Sequence, residues 1–77
     1  MNEEILNTLR FIATVHRHIT LTIMRRTIED GRLEYGYRVS IDGSALPPQW
    51  GFTTEELAQQ AGNSRMREFH PNARPVV

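Results

Sequence analysis

From His18 to Ile23 polar and apolar residues alternate singly, which puts Ile19, Leu21 and Ile23 on one side and His18, Thr20, Thr22 and the following Met24 on the other. A second run does the same: Leu33, Tyr35, Tyr37, Val39 and Ile41 share a face, opposed by Glu34, Gly36, Arg38, Ser40 and Asp42. A period of two is the signature of a strand with one buried face. The intervening Glu29-Asp30-Gly31 predicts that the two runs form a hairpin.

Side-chain matching selects its register. A two-residue turn at Asp30-Gly31 sets Ile23 against Arg38 and mismatches the whole ladder, since a one-residue slip sends every side chain to the wrong face. A three-residue turn, with Gly31 in the left-handed position that suits glycine, pairs Ile23 with Tyr37, Leu21 with Val39 and Ile19 with Ile41. On the other face it pairs Arg26 with Glu34, Thr22 with Arg38, Thr20 with Ser40 and His18 with Asp42. Arg25 then falls on the apolar side near the tip, beside Tyr35.

The first segment, Asn2 to about Ala13, has a different spacing. Asn2 suits a helix N-cap, and Glu3 and Glu4 suit its first turn. Ile5, Leu9 and Ile12 recur at helical intervals, with the FIATV stretch, Phe11–Val15, also acceptable as strand. An N-terminal helix is therefore predicted. After the hairpin, Pro47-Pro48 forces an extended path, and a short strand near Gln49–Phe52 fits the pattern. In GFTTEELAQQAGN, Thr53 is the expected N-cap, with Glu56 as capping-box partner and Phe52 stapled to Leu57. A helix from about Thr54 to Ala61 follows, with Leu57, Ala58 and Ala61 inward and Gly62 as its stop. Trp50 is expected to pack beside it and close the core. The predicted class is α+β: an N-terminal helix, a long antiparallel hairpin and a short C-terminal helix packed on one face. Residues 1–70 form the single domain and 71–77 a flexible tail.

Composition narrows the functions. A chain of 77 residues buries only about 60% of its unfolded surface, which makes one small core marginal. There is no cysteine, so no disulfide supports it, in keeping with a reducing compartment. No apolar run reaches the ~20 residues of a membrane span, and MNEEILNTLR is acidic where a secretory signal is basic. A cytoplasmic location with no membrane partner is the expectation. Net charge is zero, and all nine basic residues are arginine. Arginine's planar five-donor fork is enriched at protein interfaces.

His16 and His18 share a strand face, and Asp42 is a potential third metal ligand opposite His18. No cysteine completes the set, and His70 lies toward the tail, so no metal is expected. Each acid has a place in a helix start, turn, strand face or cap, and no nucleophile motif, phosphate loop or cofactor fingerprint occurs. The chain reads as a non-enzyme without cofactor. Arg25, Arg26 and Arg32 gather at the hairpin tip, where Met24 is near enough to touch a base, and two-stranded ribbons enter major grooves. Glu29, Asp30 and Glu34 cancel much of that field, which leaves nucleic-acid binding as the second reading. The first is protein binding, with Arg25, Arg26, Arg32, Arg38, Met66 and Phe69 as candidate partner contacts. An exposed strand edge adds a route to a partner's sheet or to a homodimer.

In general plan, the lone hairpin HRHITLTIMRRTIEDGRLEYGYRVSID, the capped helix TTEELAQQA and the short polar tail resemble the small cysteine-free proteins that phages make to seize host machinery. RNA polymerase inhibitors and anti-CRISPR proteins are examples. The resemblance implies a non-catalytic regulator that docks on a larger host enzyme, such as RNA polymerase or a nuclease complex, and blocks a surface or displaces a factor.

Overall fold

The computed structural model describes residues 3–14 and 16–76. Its first element corrects the sequence expectation: β1 spans Glu3–Thr14 as a strand, and no helix forms there. It pairs antiparallel with β2, Arg17–Thr27. The expected N-cap Asn2, and Val15 at the end of the FIATV stretch, lie outside the described residues. The helical spacing came from a bulge. Pairing steps from Ile5–Met24 to Asn7–Ile23, leaving Leu6 without a partner. One extra residue shifts the phase of the alternation. Asn7, Leu9 and Phe11 therefore align with Ile23, Leu21 and Ile19, while Ile5, Thr8, Arg10 and Ile12 take the other face. Residues that would form one helix stripe, Ile5, Leu9 and Ile12, are thus divided between two faces. Pairing along nearly the whole of β2 outweighs the few tenths of a kcal/mol per residue that intrinsic propensity contributes.

Strand β3, Leu33–Ile41, completes the central hairpin. Its register matches apolar with apolar and Arg26 with Glu34, from Ile19–Ile41 through Thr27–Leu33. Ile28 N–H donates to the Arg32 carbonyl at 2.9 Å across the three-residue turn, and Gly31 has φ 85°, where an L side chain is strained. Strands β4 (Ser44–Ala45) and β5 (Gln49–Phe52) both line the far side of β3.

Helix α1 runs Glu55–Phe69, well past the predicted end at Ala61. Gly62 does not stop it. Instead Gly62 is buried in mid-helix, where an added Cβ would come within 2.6 Å of Leu21 Cδ1 and 3.2 Å of Tyr37 Cγ. The glycine lets the helix backbone sit down on the sheet. The cap is Thr54, one residue later than expected, with its Oγ1 accepting from Leu57 N–H at 3.1 Å. Glu56 is then the second helical residue, and the capping box is not built. Leu57, expected inward, is 46% exposed. Thr54→Ala should cost about 1 kcal/mol, seen as a fall in melting temperature of about 4–8 °C; an unchanged melting temperature would show that the cap is dispensable.

The segment expected as a free tail returns to the sheet. Ala73 joins the core, and β6, Arg74–Pro75, pairs with β1 at Phe11 and Ile12; Val77 lies outside the described residues. Strand order is β4-β3-β2-β1-β6, with β5 also on β3. The core lies on one face: Phe11, Ile19, Leu21, Ile23, Tyr37 and Val39 meet Ala58 and Met66 of α1. Trp50 is not part of it. It pairs with Gly36, whose face is that of Met24, Thr22 and Arg38, opposite α1. Among the described residues no helix is long and apolar enough to cross a membrane.

Candidate binding surfaces

The hairpin tip places Arg25, Arg26 and Arg32 together, and each meets a carboxylate. Arg25 pairs with Glu4, its Nε donating to Oε1 at 2.7 Å. Glu4 first and Tyr35 next raise the Arg25 guanidinium pKa above its already high ordinary value, so the group stays charged at any working pH. Arg26 reaches Glu34 Oε1 at 2.7 Å and lies over the Trp50 ring, 4.1 Å from its centroid. That indole therefore touches both the Gly36 backbone and a guanidinium. Arg32 pairs with Asp30. Little positive field is left at the tip.

The remaining expected contacts are scattered. Met66 is 0% exposed in the core, so it supports the fold. Phe69 is 45% exposed, with the Arg65 guanidinium 4.9 Å from its ring centroid. Arg38 is half-buried, and its Nε is buried with no hydrogen-bond partner. The potential ligand trio also disperses. Asp42 pairs with Arg17 at 3.1 Å and accepts from the backbone N–H of His18 at 2.9 Å, so it faces the main chain of His18. Among the described residues no three His, Cys, Asp or Glu side chains gather as a metal-holding group.

Two features come forward in their place, both dependent on β1 being a strand. The first is its outer edge. Among the described residues β6 pairs with Phe11 and Ile12, and Val76 N–H extends the cover to the Arg10 carbonyl at 2.9 Å. Since Arg10 thus points its backbone away from β2, strand alternation turns Thr8 outward as well. Beyond the bulge, the same argument through Met24 turns Ile5 and Glu3 outward. The Thr8 N–H is taken by the Asn7 side chain, Oδ1 accepting at 2.9 Å. The Ile5 N–H and the carbonyls of Ile5 and Thr8 have no strand partner among the described residues. Beside this edge lies a groove of about 600 Å3, lined by Leu9 and Phe11, by Gln59, Asn63 and Arg67 of α1, and by Val76. Arg67 Nη1 closes its end by donating to the carbonyl of Ala73 at 3.0 Å.

The second feature is the sheet face away from α1. Arg10 lies opposite Thr20, Arg38 opposite Thr22 and Arg74 opposite Ile12, so all three share that face. None of them meets a carboxylate among the described residues. Arg10 and Arg74 escaped the sequence reading because a helical β1 leaves them on no common surface. A short signal was there in Thr8 to Phe11, where polar Thr8 and Arg10 alternate with Leu9 and Phe11 before Ile12 breaks the pattern.

No family model, no curated protein and no solved structure matches this chain.

Proposed function

We propose that the protein is a non-catalytic, protein-binding regulator that docks on a larger host enzyme by adding the open edge of β1 to a strand of that partner. The observation that carries this reading is the asymmetry of the sheet's two edges. On the far side of β3, β5 pairs at Tyr35–Tyr37, Leu46 N–H bonds the Val39 carbonyl and β4 pairs at Ser40–Ile41. At β1 the outward groups from Glu3 to Thr8 have no strand beside them among the described residues. Strand addition draws affinity from main-chain hydrogen bonds and specificity from side-chain pockets. The groove against Leu9, Phe11 and α1 supplies such a pocket for alternate residues of the incoming strand. Ile5, 64% exposed, supplies apolar area on the other face. Inhibition or modulation follows from occupying the partner's own strand edge. A cytoplasmic setting is part of the same proposal.

Ile5→Pro tests it. Proline is tolerated on an edge strand where its missing N–H faced solvent, so the fold should persist, with melting lowered by under about 8 °C. A partner retained from nuclease-treated host lysate by the wild-type chain should be lost by this variant, and hydrogen exchange at residues 3–8 should slow in the wild-type complex. Equal retention by both chains, or protection confined to α1, would remove the edge as the docking site. A doubled mass for the isolated chain in solution would assign the edge to a second copy.

A further inference from the structure

We propose that the sheet face opposite α1 binds the phosphate backbone of nucleic acid without reading its bases. This goes beyond the docking role of β1 and uses a different surface. Nine basic and nine acidic residues balance over the whole chain, yet they are not evenly placed. Arg17, Arg25, Arg26, Arg32 and Arg65 each pair with a carboxylate, and Arg67 bonds main-chain carbonyls. Arg10, Arg38 and Arg74 are the ones with no acceptor among the described residues, and pairing places all three on one face.

Their arrangement is a diagonal. Arg74 and Arg10 are diagonal neighbours on adjacent strands, roughly 8 Å apart. Arg38 lies two strands further over and two residues along, about 12 Å from Arg10 at ordinary sheet spacings. The three therefore span about 20 Å of this face at ordinary sheet spacings, enough for successive phosphates of a backbone crossing it. Hydroxyls sit between them: Thr8 is exposed, and Thr20 and Ser40 are half-buried. Arginine forks with serine and threonine hydroxyls are the usual donors to phosphate oxygens. No aromatic ring is free to stack on a base there. Trp50 is held against Gly36 and Arg26, and Tyr35 and Tyr37 lie on the face of α1. Contacts of this kind fix a backbone and carry no sequence information.

Fluorescence anisotropy of the full-length chain with a labelled single-stranded oligonucleotide of mixed sequence tests this without any protein partner, so its result is independent of the β1 edge. Three contacts give a slope of log K against log salt of about −2, or a loss of roughly 20-fold between about 50 and 200 mM salt. Arg10→Gln with Arg74→Gln should weaken binding at low salt and flatten the slope to about −0.7. Arg10→Gln alone should remove about a third of the slope, which keeps the test intact if the double variant unfolds. Arg32→Gln with Arg65→Gln, on other surfaces, should leave affinity within about twofold. A second oligonucleotide of unrelated sequence should bind equally well. Absence of binding at low salt, or a double variant that folds and binds like the wild type, would overturn the proposal. Polyglutamate competing as well as the oligonucleotide would assign the face to an acidic polypeptide instead.

Discussion

Gly62→Val should destabilise the domain by about 2 kcal/mol or more, even though glycine is among the poorest residues for the middle of a helix. Intrinsic propensity favours the substitution by a few tenths of a kcal/mol. Packing opposes it more strongly. A Cβ at this position would lie 2.6 Å from Leu21 Cδ1 and 3.2 Å from Tyr37 Cγ, and Leu21 is 0% exposed, so it can yield only by displacing its core neighbours. Overfilling a packed site of this kind costs about 1–3 kcal/mol. A chain of 77 residues has a total stability of only about 4–12 kcal/mol, so the urea midpoint should fall visibly. The pair can be tested against itself. Leu21→Ala alone should cost about 2–5 kcal/mol through the cavity it leaves. Combined with Gly62→Val it should cost at least about 1 kcal/mol less than the sum, because the valine methyls enter the space the leucine leaves. Strict additivity would show that α1 does not seat on Leu21 through Gly62.

Gly36→Val should have an effect of similar size on the other face, about 2–3 kcal/mol, and a different spectroscopic signature. A Cβ at Gly36 would collide first with the Gln49 carbonyl oxygen of β5, and would lie 2.7 Å from Trp50 Cε3 and 2.8 Å from Cδ2. The indole covers the glycine directly, a pairing by which aromatics repair the weakness of glycine in strands. With valine there, Trp50 must lift away, which breaks its contact with Arg26 and unseats β5 from β3. Tryptophan emission should shift to longer wavelength in the folded state and the urea midpoint should fall. Unchanged emission with an unchanged midpoint would mean that Trp50 is not held against Gly36.

The central hairpin was legible because nothing interrupts its period of two, and because only one register sets Arg26 against Glu34 while keeping Ile23 against Tyr37. β1 was not. Its extra residue at Leu6 converts alternation into a spacing that imitates a helix, and the acids at its start suit a first turn as well as they suit the arginines of β2. The helix α1 was legible in place but not in length. A glycine that ends one helix and a glycine that permits close packing look the same until the partner, Leu21, is known. Trp50 is expected beside the C-terminal helix because the two are close in sequence, whereas Gly36 offers it a seat on the opposite face. The candidate surfaces inherited the error in β1. The tip arginines drew attention as a run in sequence, but hairpin pairing neutralises them. Arg10, Arg38 and Arg74 are far apart in sequence and become neighbours only once β1 and β6 are strands.

The bulge at Leu6 and the Asn7 side chain on Thr8 N–H together bear on a hazard that any bare strand edge carries. An edge with regular spacing and every donor free is a template on which identical chains stack into fibrils. Here the spacing changes phase halfway along, and a donor in the stretch after the bulge is already occupied. A regular strand laid alongside would lose register at Leu6 and find the Thr8 N–H already taken. A partner strand with its own irregularity at that point would meet no such obstacle, so the distortion that hid β1 in the sequence also makes the edge selective about what it joins.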